Sequence, residues 1–201
     1  MKRAIFLAIL ILSIFSTCKV LLTDAFTSPG QARGFVNDYV GILTSDTKAS
    51  LEQKLKSYND QTSNQITIAI IKELKDETID TYATKLFEEW KIGQKGKDNG
   101  VLLLIAYDDR KIRIEVGYGL EGVLTDSQAG IIRQNVITPL FKENKYEEGI
   151  VKGVDAIMKV LGGESIDNYK ETTSKRDYSF LFYIFIFFIL WLTSVLGRSK
   201  S

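Results

Sequence analysis

The stretch from Tyr178 to Gly197, YSFLFYIFIFFILWLTSVLG, contains no charged side chain and constrains this chain more than any other segment. Its twenty residues would form a helix about 30 Å long at about 1.5 Å each, matching the hydrocarbon core of a bilayer. Each Phe, Ile or Leu favours insertion by about 0.3–0.6 kcal/mol, so the sum is several kcal/mol toward lipid. The run is apolar on every face, unlike a core helix with one wet side. Trp191 sits off-centre, where an amphipathic ring approaches the interface, and Arg198 and Lys200 follow. Positive flanks stay inside, so the short tail, residues 198–201, is expected in the cytoplasm.

The other end points the same way. Lys2 and Arg3 precede an apolar run from Ala4 to Phe15, the layout of a secretory signal. Thr23 and Ala25 place small residues where a signal peptidase reads, which makes residues 1–25 a signal peptide. Two alternatives stay open: retention as an uncleaved anchor, and lipidation at Cys18, for which Thr17 is a poor preceding residue. In each case residues 26–163 form a domain outside the cytoplasm. Residues 164–177, ESIDNYKETTSKRD, carry only Ile166 and Tyr169 as large apolar or aromatic side chains. Too little surface can be buried there to offset the entropy of ordering, so the segment reads as a tether. The whole is a single-pass cell-membrane protein with its domain on the extracytoplasmic side.

Composition narrows the chemistry. No histidine is present, which removes Ser-His-Asp and Cys-His machinery and imidazole-based metal sites. The lone cysteine, Cys18, excludes an intrachain disulfide or thiolate cage. The 26 basic and 25 acidic residues leave a formal charge of +1, without the cationic excess that nucleic-acid binding requires. Catalysis, if any, falls to carboxylates, hydroxyls, Lys/Arg or a hard cation held by oxygen.

Within the domain, Thr44, Ser45 and Asp46 are N-cap candidates for a helix burying Leu51, Leu55 and Tyr58. Gln65 to Ile71 is a β-branched, apolar strand. Thr78 opens a second helix, whose stripe of Ile79, Tyr82, Ala83, Leu86, Phe87 and Trp90 runs toward a left-handed stop at Gly93. Gly100 to Tyr107 is continuously apolar and reads as a central strand. Asp108, Asp109 and Arg110 turn the chain into an alternating strand, Lys111 to Val116, with Ile112, Ile114 and Val116 inward. A capping box at Thr125 and Gln128 starts a helix expected to end near Pro139, and a last helix runs to Gly162 and Gly163. Strand-helix-strand implies a parallel pair, and the tight turn an antiparallel neighbour. The expected fold is α/β: a Rossmann-like sandwich with a small mixed sheet of about four strands flanked by helices, followed by the C-terminal transmembrane helix.

Two constellations invite a chemical reading. GYGLEG, with Gly117, Gly119 and Gly122, matches GxGxxG. A dinucleotide fingerprint must lead through its helix to a further parallel strand, and no such strand pattern follows. Glu121 would also repel a pyrophosphate, so no nucleotide is expected, and the glycines serve positive φ and close approach. Oxygen donors gather at Asp38, Asp98, Asn99, Glu121 and Asp126, in loops at strand and helix ends. Ca²⁺ takes six to eight oxygens, but carboxylates in loops are commonly solvated or capping, and Asp126 suits a helix N-terminus. The GxxxG of Gly149 and Gly153 lies in an amphipathic setting and reads as close helix packing.

GFVNDYVGILT, KGKDNGVLLLIAYDDRKIRIEVGYGLEGVLTD and PLFKENKYEEGI resemble successive blocks of the TPM domain family. The resemblance covers Gly34 to Gly163, and is most specific at Asn99-Gly100 and from Gly117 through Glu121 to Asp126. It implies the Rossmann-like sandwich, weak acid-phosphatase activity in some members, calcium binding in some, and accessory roles beside membrane complexes in others. The family's acidic positions carry over onto Asp38, Asp98, Asn99, Glu121 and Asp126 as a site for Ca²⁺ or another divalent cation. The reading that follows is an extracytoplasmic, membrane-anchored module with an accessory or protein-interaction role and a membrane-protein partner. The alternative is a divalent-cation-dependent acid phosphatase, in which Arg113 or Lys111 would bind phosphate.

Overall fold

A computed structural model describes residues 26–165 and the single position 186. The expected signal peptide, all but the first two residues of the expected tether, the rest of the apolar run and the tail lie outside the described residues. Among the described residues no helix is long and apolar enough to cross a membrane.

The apolar strands assemble into one sheet of order β1-β2-β3-β4, with β1 at Val36–Asp38, β2 at Gln65–Ile71, β3 at Gly100–Ala106 and β4 at Lys111–Val116. The first three are parallel and β4 returns antiparallel, the mixed pairing expected from the connections. Every residue of β3 is buried, because this strand has neighbours on both edges and helices on both faces. Register sets the two faces. Ile66, Ile68, Ile70, Leu103, Ile105, Ile112 and Ile114 form the larger core with α1 (Ser45–Thr62) and the C-terminal helices. Ala69, Ile71, Leu102 and Leu104 form the smaller core with Tyr82, Ala83 and Leu86 of α2 (Ile79–Trp90).

Three threonines start helices as the sequence indicates. The hydroxyls of Thr44, Thr78 and Thr125 accept from backbone N–H groups of Thr47, Thr81 and Gln128, and Gln128 completes its capping box. Strand β1 was not in the sequence-based element order. It is three residues long, too short for a period to register. The carboxylate of Glu52, on α1, accepts from the N–H groups of Phe35 and Val36 at 2.8 and 2.7 Å, and so ties the entry to this edge strand to the helix.

Two helix endings differ from expectation. Helix α2 stops at Lys91, itself left-handed at φ 50°, ahead of the expected Gly93, which turns left-handed in the following loop. The helix opened by Thr125 does not end near Pro139. It runs as α3 (Asp126–Ile131), a π segment (Ile132–Ile137) and α4 (Thr138–Lys142). Proline lacks an N–H and its ring crowds the carbonyl one turn back, and the wider π turn relieves both. The N–H of Thr138 reaches the Arg133 carbonyl five residues back, and its hydroxyl donates to the same oxygen at 2.7 Å. Against this segment packs α5 (Tyr146–Leu161), whose Gly149 and Gly153 leave room for Phe141 and Ile137.

Candidate functional site

The GYGLEG segment leaves β4 and folds directly onto the loop that enters β3. Gly117 donates to the Gly100 carbonyl at 2.8 Å, and Gly119 donates to the Asp98 carbonyl at 3.1 Å. A Cβ at position 117 would lie 2.3 Å from the Asp98 oxygen, and one at 119 would lie 2.0 Å from the Lys97 oxygen. Neither glycine is left-handed, and Gly122 has open space around it. Only the close-approach half of the expectation therefore holds: these glycines let two backbones touch. The tip of the pinned loop presents Tyr118, which is 82% exposed, and Val123 nearby is 43% exposed.

Beside this loop lies a cleft of about 280 Å³ lined by Arg113, Glu115, Glu121, Thr125 and Asp126. Alternation along β4 places Arg113 and Glu115 opposite Leu104 and Leu102, on the side that α2 covers. The Arg113 guanidinium contacts Asp80 at 3.2 Å and Glu115 at 3.0 Å, and stands 3.8 Å from Asp126. The other Glu115 oxygen accepts from the Thr84 hydroxyl at 3.0 Å. One cation thus faces the carboxylates of Asp80, Glu115 and Asp126, with Glu121 on the same cleft, so the surface here is net acidic. Arg113 could meet a phosphate only by releasing these partners.

The five oxygen donors singled out from the sequence do not converge. Asp38 ends β1 opposite Ile70, whereas Asn99 precedes the Gly100–Gln65 pair, so about five residues or about 17 Å of strand separate them. The Asp38 carboxylate already accepts from the N–H groups of Val40, Gly41 and Leu43 at 2.7–3.0 Å. Asn99 is 6% exposed, and its amide accepts from Gln94 N–H at 2.8 Å and donates to the Ser63 carbonyl at 2.6 Å. Asp98, at φ 47°, supplies its backbone oxygen to Gly119. Of the five, Glu121 and Asp126 line one cleft, with the Arg113 guanidinium 3.8 Å from Asp126. Among the described residues no three His, Cys, Asp or Glu side chains could hold a metal ion together. The five positions do not fit a single six-to-eight-oxygen site.

A second cavity, about 480 Å³, escaped the sequence reading. It lies where β3 ends and β4 begins, against α4 and the start of α5, and is lined by Tyr107, Arg110, Lys111, Phe141, Lys142 and Tyr146 among others. The density of aromatic and basic residues in FKENKY was its one local signal.

Residues 36–160 match the TPM domain family. The chain belongs to the TPM domain family. Among curated proteins nothing matches. Solved structures do. The TPM domain is similar to the N-terminal domain of a protein from P. gingivalis, determined by solution NMR: 29% identity, TM-score 0.60, covering 64% of this chain and 82% of that one. It is also similar to the BA42 protein of the psychrophilic bacterium Bizionia argentinensis, at 21% identity and TM-score 0.54, covering 63% and 86%. The N-terminal domain of cg2496 from Corynebacterium glutamicum matches at 14% identity and TM-score 0.51, covering 70% and 88%. The last two establish a shared fold alone.

Proposed function

We propose that this chain is a membrane-anchored TPM module whose domain works outside the cytoplasm and binds a membrane-protein neighbour. The reading joins the charge-free run at 178–197, the signal-like first 25 residues and the polar tether to the surface of the domain. One observation carries it: the glycine-pinned loop holds Tyr118 almost fully out in water beside Val123 and the acidic cleft. A tyrosine buries a large area on binding and loses little freedom when its backbone is already fixed, which suits an interface anchor. The carboxylates of the cleft would steer a basic partner surface toward it.

The test is a photo-cross-linking side chain placed at position 118 in the full chain, irradiated in intact membranes. A discrete adduct with one neighbour is expected, and it should vanish when the probe sits at a position on the far side of the domain. Recovery of monomer alone would count against the proposal.

The second reading, a divalent-cation-dependent phosphatase, draws on Glu121 and Asp126 lying on one cleft with Arg113. It requires Arg113 to exchange Asp80 and Glu115 for substrate, and among the described residues no three carboxylates are grouped to hold a cation.

A further inference from the structure

The cavity at the carboxyl end of β3 carries an inference separate from the cleft and from Tyr118. The cavity lies outside the carboxyl end of β3, beside the start of the antiparallel strand β4. Its floor is apolar, with Ile105 and Ile112 buried beneath it. Its wall is aromatic: Tyr146 stands 5.1 Å from both Tyr107 and Phe141, ring centre to ring centre. Three cations, Arg110, Lys111 and Lys142, line it, and no carboxylate does. None of the three forms an ion pair among the described residues.

Arg110 is left-handed at φ 53° and Asn144 at φ 60°. Asparagine tolerates that region, but arginine does not favour it, and glycine would suit position 110 better. The turn between β3 and β4 sets this conformation, with the Arg110 N–H donating to the Tyr107 carbonyl at 3.2 Å. The phenol of Tyr107 is held above its ordinary range, first by the charge of the neighbouring Tyr146 phenol and then by burial.

We infer that this cavity binds a small organic anion, its flat apolar body against Phe141 and Tyr146 and its carboxylate or phosphoryl group against Arg110, Lys111 and Lys142. The volume lies in the range of small-molecule sites, which are mostly apolar with a few converging polar groups.

The full chain, ¹⁵N-labelled, is titrated with benzoate, phenylphosphonate and the uncharged benzamide, and amide shifts are followed by NMR. Benzoate or phenylphosphonate should shift residues 107–111 and 141–146 and saturate, and benzamide should bind more weakly. Whichever anion binds more tightly names the headgroup. Arg110→Gly, which relieves the left-handed backbone, and Lys142→Gln, on an exposed helix end, should together weaken binding about tenfold or more. Shifts scattered over the surface, benzamide binding as tightly as the anions, or equal affinity in the double variant would each overturn the inference.

Discussion

Replacing Gly119 by alanine tests the claim that the GYGLEG glycines serve backbone contact and not a phosphate. The new Cβ would lie 2.0 Å from the Lys97 oxygen and 3.2 Å from that of Asp98. Ordinary contact needs about 3.4 Å, so the loop entering β3 must retreat by more than an ångström. Overpacking typically costs about 1–3 kcal/mol, and a backbone obstacle belongs at the upper end. Losing the Gly119 N–H to Asp98 bond adds about 0.5–1.5 kcal/mol. The expected loss is therefore about 3–4 kcal/mol, or a fall in Tm of about 10–15 °C for a domain of this size. Gly117→Ala, with its Cβ 2.3 Å from the Asp98 oxygen, should behave alike. Gly122→Ala has nothing within 4 Å and should stay within about 0.5 kcal/mol of the parent. The assay is urea unfolding of the full chain followed by circular dichroism, with a constant m-value as the check on two-state behaviour. A Gly119→Ala loss under about 1 kcal/mol, or a Gly122→Ala loss as large as that at 119, would refute the argument.

Two further outcomes follow from buried polar groups. Asn99→Ala leaves the Gln94 N–H and the Ser63 carbonyl without their partner, and should cost about 2–4 kcal/mol by the same unfolding assay. An unchanged midpoint would return Asn99 to the pool of free ligands. Burial, with the Glu77 charge next, pushes the Tyr82 phenol up from 10.0 to about 12. The folded state then keeps a proton that the unfolded chain releases, so stability present below pH 10 falls as pH rises toward 12. The loss should reach about 2–3 kcal/mol and be absent in Tyr82→Phe, which also gives up the bond to the Thr27 carbonyl.

Much of the scaffold was legible because its signals are local. The apolar run of β3, the alternation of β4 and the three threonine caps each need only a few neighbouring residues to declare themselves. Strand β1 was not legible: its pairing with β2 and its tie to Glu52 are long-range. Pro139 misled because a local breaker was absorbed by a π turn that tertiary packing holds in place. The candidate ligands failed to converge for a related reason. A sequence shows that Asp38, Asn99 and Asp126 sit at element ends, but only the strand directions show that Asp38 lies at the opposite end of the sheet from Asn99. The second cavity draws Tyr107 and Tyr146 together across 39 positions, which no local pattern records.

As proposed above, the carboxylates beside the GYGLEG loop serve binding and not turnover. The most direct measurement is hydrolysis of 4-nitrophenyl phosphate by the purified full chain at mildly acidic pH with Ca²⁺ or Mg²⁺, beside the Asp98→Ala, Asp126→Ala double variant. Equal, background rates are expected for both proteins, unchanged by chelation. Turnover by the parent that chelation abolishes and the double variant lacks would contradict the proposal.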